Sequence, residues 1–196
     1  SAITSTSGTL GITLSSANAS GATTGGVQIN SNLTSNGGDI LIGGGQKITT
    51  DIATANGIGY AENYAGCSRN CDETSAAIQI NSINISSGSG KIVLNGENKI
   101  SSSSIKILDP AGVFIRRGST ITSTSGNIYS TTKSSSNNDF ALSIDEASNV
   151  SPTVISSSAG GSIKLDTTNS ALSTVALGMT NSGRDRKSTR LNSSHI

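Results

Sequence analysis

Cys67 and Cys71 sit in GCSRNC with three residues between them, and the chain has no other cysteine. Two thiols at this spacing can close a small disulfide ring, stay free, or supply two ligands of a zinc site. A zinc site needs two further ligands. No cysteine is left to give them, and the only histidine is His195, far along the chain. The carboxylates come as neighbours, Asp72–Glu73 and Asp145–Glu146. Adjacent strand residues point to opposite faces, so neither pair is placed to act as general acid and base. Arg116–Arg117 has the charge to clamp an anionic sugar, although a solvated loop is the commoner setting for such a pair.

Asp39 stands in NGGDILIGGG, whose Gly/Asp content resembles the nonapeptide that holds calcium between successive turns of a β-roll. That chemistry needs tandem copies, each ion being shared by neighbouring turns. The equivalent positions further along are Lys91, Asn127 and Ser162, so calcium is not expected and Asp39 is read as a solvated corner residue. Asn18, Asn32, Asn84 and Asn149 each open an N-x-[ST] triplet, a match that arises readily by chance in an Asn/Ser-rich chain. The expectation is therefore no catalytic residue, no cofactor and no metal.

The elements that would carry these residues are legible in residues 77–96, AIQINSINISSGSGKIVLNG. Ile78/Ile80, Ile83/Ile85 and Ile92/Leu94 alternate with polar residues, the period of a strand with one buried face. Gly88 and Gly90 separate the last two runs with turn chemistry. The unit returns at 26–42 (Val27, Ile29, Leu33, then Gly37-Gly38-Asp39 before Ile40 and Ile42). It returns at 112–128 (Val113, Ile115, Ile121, then Gly126 before Ile128). It returns once more at 141–165 (Leu142, Ile144, Val154, Ile155, then Gly160-Gly161 before Ile163 and Leu165). Leu10, Ile12 and Leu14 alternate near the start, and 99–107 and 171–177 read as further short strands. Ile80 is expected to point inwards between Ile29 and Ile115, with Gln79 outwards as an ordinary surface residue.

Composition agrees with such a chain. Aromatic residues make up 3% and charged residues 13%, too few charges for a solvated disordered polymer. No run approaches the ~18 apolar residues of a membrane-spanning helix. The chain begins at Ser1 without a charged n-region and apolar h-region, so a processed product or internal fragment is expected. Residues 185–196, DRKSTRLNSSHI, resemble one reading frame of a sequencing-library adapter and are expected to be a non-native tail. Without them the balance is ten Lys+Arg against eleven Asp+Glu, which offers no basic surface for nucleic acid.

Ile40, Ile92, Ile128 and Ile163 are 52, 36 and 35 residues apart. A solenoid whose insertions emerge at corners gives such spacing, because a unit that cannot bury its apolar face alone stacks on its neighbour. The expected fold is all-β, a single-stranded parallel β-helix over 1–184 with a loop insertion at about 43–76. A β-sandwich is the alternative, since it too has short strands and turns.

NGGDILIGGG, then GYAENYAG, then AIQINSINISSGSGKIVLNGEN, resemble the passenger regions of filamentous-haemagglutinin-like adhesins, the large surface exoproteins of Gram-negative bacteria. The resemblance spans roughly residues 1–184 and is closest over 26–96. It implies a right-handed parallel β-helix, export by an outer-membrane secretion partner, a secreted or cell-surface location, and adhesion to surface glycans or proteins of host or neighbouring cells through the parent protein. The secretion domain of that family is not recognisable, so the chain reads as part of the repetitive shaft. In a secreted chain Cys67 and Cys71 are expected as a disulfide pinning the insertion. The alternatives are a carbohydrate-active enzyme, a polysaccharide-binding solenoid, and an ice-binding solenoid suggested by Thr4/Thr6 and Thr122/Thr124. An enzyme would need Asp, Arg or Lys clustered on one face over several rungs, and the charges are scattered.

Overall fold

The computed structural model describes residues 1–16, 26–44, 58–63, 76–99, 111–116, 118–134, 140–146, 152–169 and 177–181. Among them the chain is all strand and turn, with no helix. The strands are short because each is broken by a Gly, Ser or Asn corner. In order they are β1 (Ile3–Thr4), β2 (Ile12–Ser15), β3 (Val27–Ile29), β4 (Leu33–Thr34), β5 (Ile40–Gly43) and β6 (Ala61–Glu62). Then come β7 (Ile78–Ile80), β8 (Asn84–Ser86), β9 (Ile92–Asn98), β10 (Ala111–Ile115), β11 (Thr120–Ser123) and β12 (Ile128–Ser134). The last are β13 (Phe140–Glu146), β14 (Val154–Ser157), β15 (Ile163–Asn169) and β16 (Leu177–Asn181).

They form three sheets, in the orders β1-β4-β8-β11-β14, β2-β5-β9-β12-β15 and β3-β7-β10-β13-β16. We call these the first, second and third sheets. The strand ladders between these elements are parallel. An antiparallel sandwich would pair consecutive strands. Here, β6 apart, consecutive strands fall in different sheets, and each strand pairs with the equivalent of the next repeat. One strand from each sheet makes a rung.

The register carries equivalent residues into vertical files. Ile29, Ile80, Ile115 and Ile144 are mutually in register, as are Ile12, Ile40, Ile92, Ile128 and Ile163. Ile3, Leu33, Ile85, Ile121 and Ile155 form the file of the first sheet. These files meet in one core, where Ile80, Ile85, Ile92, Ile115 and Ile121 are wholly buried. Burying one such side chain stabilises the fold by roughly 1.5–3 kcal/mol. One file is interrupted: Ser130 lies in register between Leu94 and Leu165, is buried, and its Oγ has no hydrogen-bond partner.

Gln79 departs from expectation. Ile78 and Ile80 are in the core as the alternation requires, but Gln79 is only 2% exposed rather than a surface residue. It lies in register between Gln28 and Phe114. Gln28 Nε2 donates to its Oε1 at 2.9 Å, while its own Nε2 has no partner. A second small apolar cluster of Ala76, Ala111 and Phe114, with Phe140 against it, explains the discrepancy. A bulky aromatic on the outer side of the third sheet removes its neighbours from water, and alternation alone does not show this.

The expected insertion at 43–76 departs from the stack after β5. Gly44 forms an isolated antiparallel bridge with Gly59, and β6 returns to pair with Gly96 and Glu97 of β9. The second half of β9 is thereby flanked by β6 on one side and β12 on the other.

Candidate functional site

The first sheet meets the second at a corner that repeats in each rung. Ser5, Ser35 and Ser87 directly follow first-sheet strands, Ser123 and Ser157 end theirs, and their hydroxyls turn onto glycine carbonyls. Ser5 Oγ donates to Gly8 O at 2.8 Å, Ser87 Oγ to Gly90 O at 2.6 Å, Ser123 Oγ to Gly88 O at 2.8 Å, and Ser157 Oγ to Gly126 O at 3.1 Å. Ser35 Oγ donates to Gly38 O in the same way. Gly88 takes a φ of +63°, a left-handed conformation that glycine adopts without a Cβ penalty. Gly38, Gly90, Gly126 and Gly161 stack so closely that a Cβ on any of them would collide with a backbone carbonyl of the neighbouring rung.

The residue before each of these serines is also a hydroxyl: Thr4, Thr34, Ser86, Thr122 and Ser156. Alternation turns this file outward. Thr4 is exposed and the other four are half-buried. Among the described residues none of these five hydroxyls has a side-chain hydrogen bond, in contrast to the serines beside them. A second file two residues earlier holds Asn32, Asn84, Thr120 and Val154. The result is an uncharged face of donors and acceptors repeating at the ~4.8 Å spacing of neighbouring strands. Its side chains are hydroxyls, carboxamides and one valine. It can hydrogen-bond to a partner whose own hydroxyls repeat.

The residues singled out by sequence are placed elsewhere, and most of the described ones hold one rung to the next. Asp39 is exposed at a corner, and its Oδ1 accepts the backbone N–H of Lys91 at 3.0 Å. The Lys91 Nζ lies 3.8 Å from its other oxygen. Asn127, in the same file, accepts the N–H of Ser162 at 2.8 Å. Asn32 accepts the N–H of Asn84 at 2.8 Å, so both N-x-[ST] asparagines of the first sheet belong to a corner ladder. Arg116 places its guanidinium 5.9 Å from the centre of the Phe114 ring. Asp145 and Glu146 end β13, in register with Thr180 and Asn181. Cys67, Cys71, Asp72, Glu73, Arg117, Asn18, Asn149 and the whole of 185–196, His195 included, lie outside the described residues.

Further polar contacts secure the returning segment. Asn63 and Asn98 are buried and joined by Nδ2 to Oδ1 at 2.6 Å, and Asn63 Oδ1 accepts the Lys99 N–H at 2.6 Å. Lys99 Nζ meets Glu62 Oε1 at 2.6 Å. Lys133 Nζ lies 4.2 Å from the centre of the Tyr60 ring. Among the described residues no group of three or more His, Cys, Asp or Glu side chains comes together, and no helix is long and apolar enough to cross a membrane.

Sequence reasoning finds the glycine turns and expects stacked Ser, Thr and Asn at the corners to bond to the rung above, as Ser123, Ser157, Asn32 and Asn127 do, but it misses the pairing of an inward serine with an outward hydroxyl ahead of it. The signal was present in Thr34-Ser35, Ser86-Ser87, Thr122-Ser123 and Ser156-Ser157, each shortly before a glycine. A hydropathy period does not register it, because both members of the pair are polar. Comparison of the chain with protein-family models, curated proteins and solved structures gives no match.

Proposed function

We propose that this chain is a repetitive shaft segment of a secreted or surface-anchored bacterial adhesin, structural and adhesive, without catalysis. Its strands wind as a right-handed single-stranded parallel β-helix. The observation that carries this reading is the order of strands: the chain visits the first, second and third sheets in turn and repeats the circuit in register. Right-handed winding is the expected hand, because parallel strands of one sheet are joined by right-handed crossovers in nearly all proteins. The resemblance of residues 26–96 to filamentous-haemagglutinin-like passengers supports the cellular setting, with an outer-membrane partner for export.

The test is display. Fused to an outer-membrane anchor on non-adherent bacteria, the chain should be exported, as read by protease accessibility on intact cells. It should then increase adhesion to surfaces coated with cells or glycans. A chain demonstrably on the surface that adds no adhesion would overturn the adhesive part of the reading, and cleavage of an offered polysaccharide would overturn the absence of catalysis.

The unpartnered hydroxyl file favours a second reading, a polysaccharide-binding face on the first sheet. Replacing Thr34 and Thr122 by Lys would then abolish retention on the polysaccharide that the parent chain binds, without lowering its melting temperature.

A further inference from the structure

Two of the N-x-[ST] triplets fall at first-sheet strands one rung apart: Asn32-Leu33-Thr34 at β4 and Asn84-Ile85-Ser86 at β8. Leu33 and Ile85 are in register and buried in the core. Residues on either side of a buried strand position point the other way. Each triplet therefore presents its asparagine and its hydroxyl together on the outer face. Asn32 and Asn84 are exposed there, and Thr34 and Ser86 are half-buried. In the next two rungs Thr120 and Val154 take the asparagine position, so the arrangement belongs to β4 and β8.

The carboxamides of this pair are used differently from those elsewhere in the stack. Asn36 Nδ2 donates to Gly8 O at 3.2 Å, Asn81 Nδ2 to Asn30 Oδ1 at 2.6 Å, and Asn127 Nδ2 to Tyr129 Oη at 2.8 Å. Asn32 instead engages its oxygen, which accepts the Asn84 N–H at 2.8 Å. Among the described residues its Nδ2 makes no hydrogen bond, and neither does the side chain of Asn84. A substituent on an amide nitrogen leaves the carbonyl oxygen in place. Asn32 could therefore carry one and keep its bond to the next rung.

We propose that Asn32 and Asn84 each carry an N-linked sugar. N-x-[ST] is the acceptor triplet of that chemistry, and the product is a bulky, hydrated surface group. The co-substrate is a sugar activated at its anomeric carbon by a phosphate ester, as a nucleotide sugar or as a lipid-linked one. Nδ2 attacks the anomeric carbon, the bond from that carbon to the phosphate oxygen breaks, and the phosphate leaves with the electron pair. Nδ2 releases one of its two protons to solvent, so a C–N bond replaces a C–O bond and nothing is oxidised or reduced. A transferase supplies the catalytic groups. This chain supplies the nitrogen and, two residues on, the hydroxyl that marks the triplet. The fold decides what the sugar costs. With Leu33 and Ile85 inward and Nδ2 outward, the product lies outside the core and displaces no hydrogen bond. The sugars would stand over Thr34 and Ser86, so the modified chain should not offer those hydroxyls to a polysaccharide. The inference rests on the placement of the two triplets and not on the adhesive reading.

Production of the full chain in bacteria, in two arms, tests it. One arm supplies a soluble transferase that uses a nucleotide hexose, the other a membrane transferase that uses a lipid-linked oligosaccharide, each checked on an acceptor peptide. Peptide mass spectrometry maps the adducts, and the arm that gives them identifies the donor. A sugar should be found on Asn32 and on Asn84. Thr34→Ala should lose only the first and Ser86→Ala only the second, while Ser86→Thr keeps both. Neither hydroxyl makes a side-chain hydrogen bond, and thermal melts of the unmodified variants should match the parent chain. The modified parent chain should melt at the same temperature too, because its core and ladders are untouched. An adduct missing from either asparagine in both arms would overturn the proposal. So would adducts that persist in the alanine variants, or a modified chain that melts several degrees below the unmodified one.

Discussion

At the scale of the residue, Gln79 Nε2 and Ser130 Oγ are among the described side-chain atoms that are buried without a hydrogen-bond partner. An orphaned buried donor or acceptor costs about 1–3 kcal/mol, whereas an apolar replacement of similar shape is close to neutral or stabilising. Gln79→Leu surrenders only the bond from Gln28, an exposed residue that water can satisfy. Ser130→Ala surrenders no hydrogen bond. Both variants should unfold at or above the denaturant midpoint of the parent chain, and an unfolding free energy lowered by more than about 1 kcal/mol at either site would show that the group is satisfied. Ile80→Asp has the opposite sign. It loses roughly 1.5–3 kcal/mol of burial and strands a carboxylate between Ile29 and Ile115, which adds several more. The sequence placed Ile80 correctly, because alternation reads which face a side chain takes. It could not read that Gln79 is covered. That depends on Phe114, which is distant in sequence and adjacent only once the sheets have formed.

Elements are held by two devices of different legibility. The isoleucine files were legible, since a period of two marks the inner face and the repeat marks the partner. Leu33 was ambiguous between Ile83 and Ile85, and the register pairs it with Ile85. The corner was only half legible. Glycine announced a turn, and stacked Ser and Asn there suggested bonds to the next rung, as Asn32 and Asn127 make, but nothing marked which serine turns inward or that Asp39 accepts the Lys91 N–H. These bonds are local to the corner, so chain length can change there without moving a strand. The fourth corner shows it: Ser123 to Ile128 is five residues, Ser157 to Ile163 is six, and yet both pairs are in register. One glycine inserted after Ser89 should therefore cost little. One residue inserted between Asn84 and Ile85 would shift the rest of β8 to the wrong face, because a slip of one reverses every side chain. Circular dichroism melts of the two insertions should separate clearly, the first near the parent chain and the second strongly destabilised or unfolded. Equal loss in both would mean that the corner, not the strand register, limits the fold.

Among the described residues each rung pairs with the rungs next to it, so in the proposed solenoid stability is a sum of rung and interface terms. Few other terms compete. The described ion pairs Asp39–Lys91, Glu62–Lys99 and Lys164–Asp166 all retain solvent contact, and such pairs contribute about 0–1 kcal/mol each. Stability should then be graded along the column. Among the described residues, strands β8, β9, β11 and β12 have a paired neighbour on each side, while β1, β2, β14 and β15 are paired on one side. Amide hydrogen exchange reports this difference directly, because terminal units open at lower free energy than central ones. Exchange should be slowest at Ile85, Leu94 and Ile121 and fastest at Ile3, Ile155 and Ile163. A uniform exchange rate over all rungs would mean that the chain opens as one cooperative unit, and the additive picture of the column would fail.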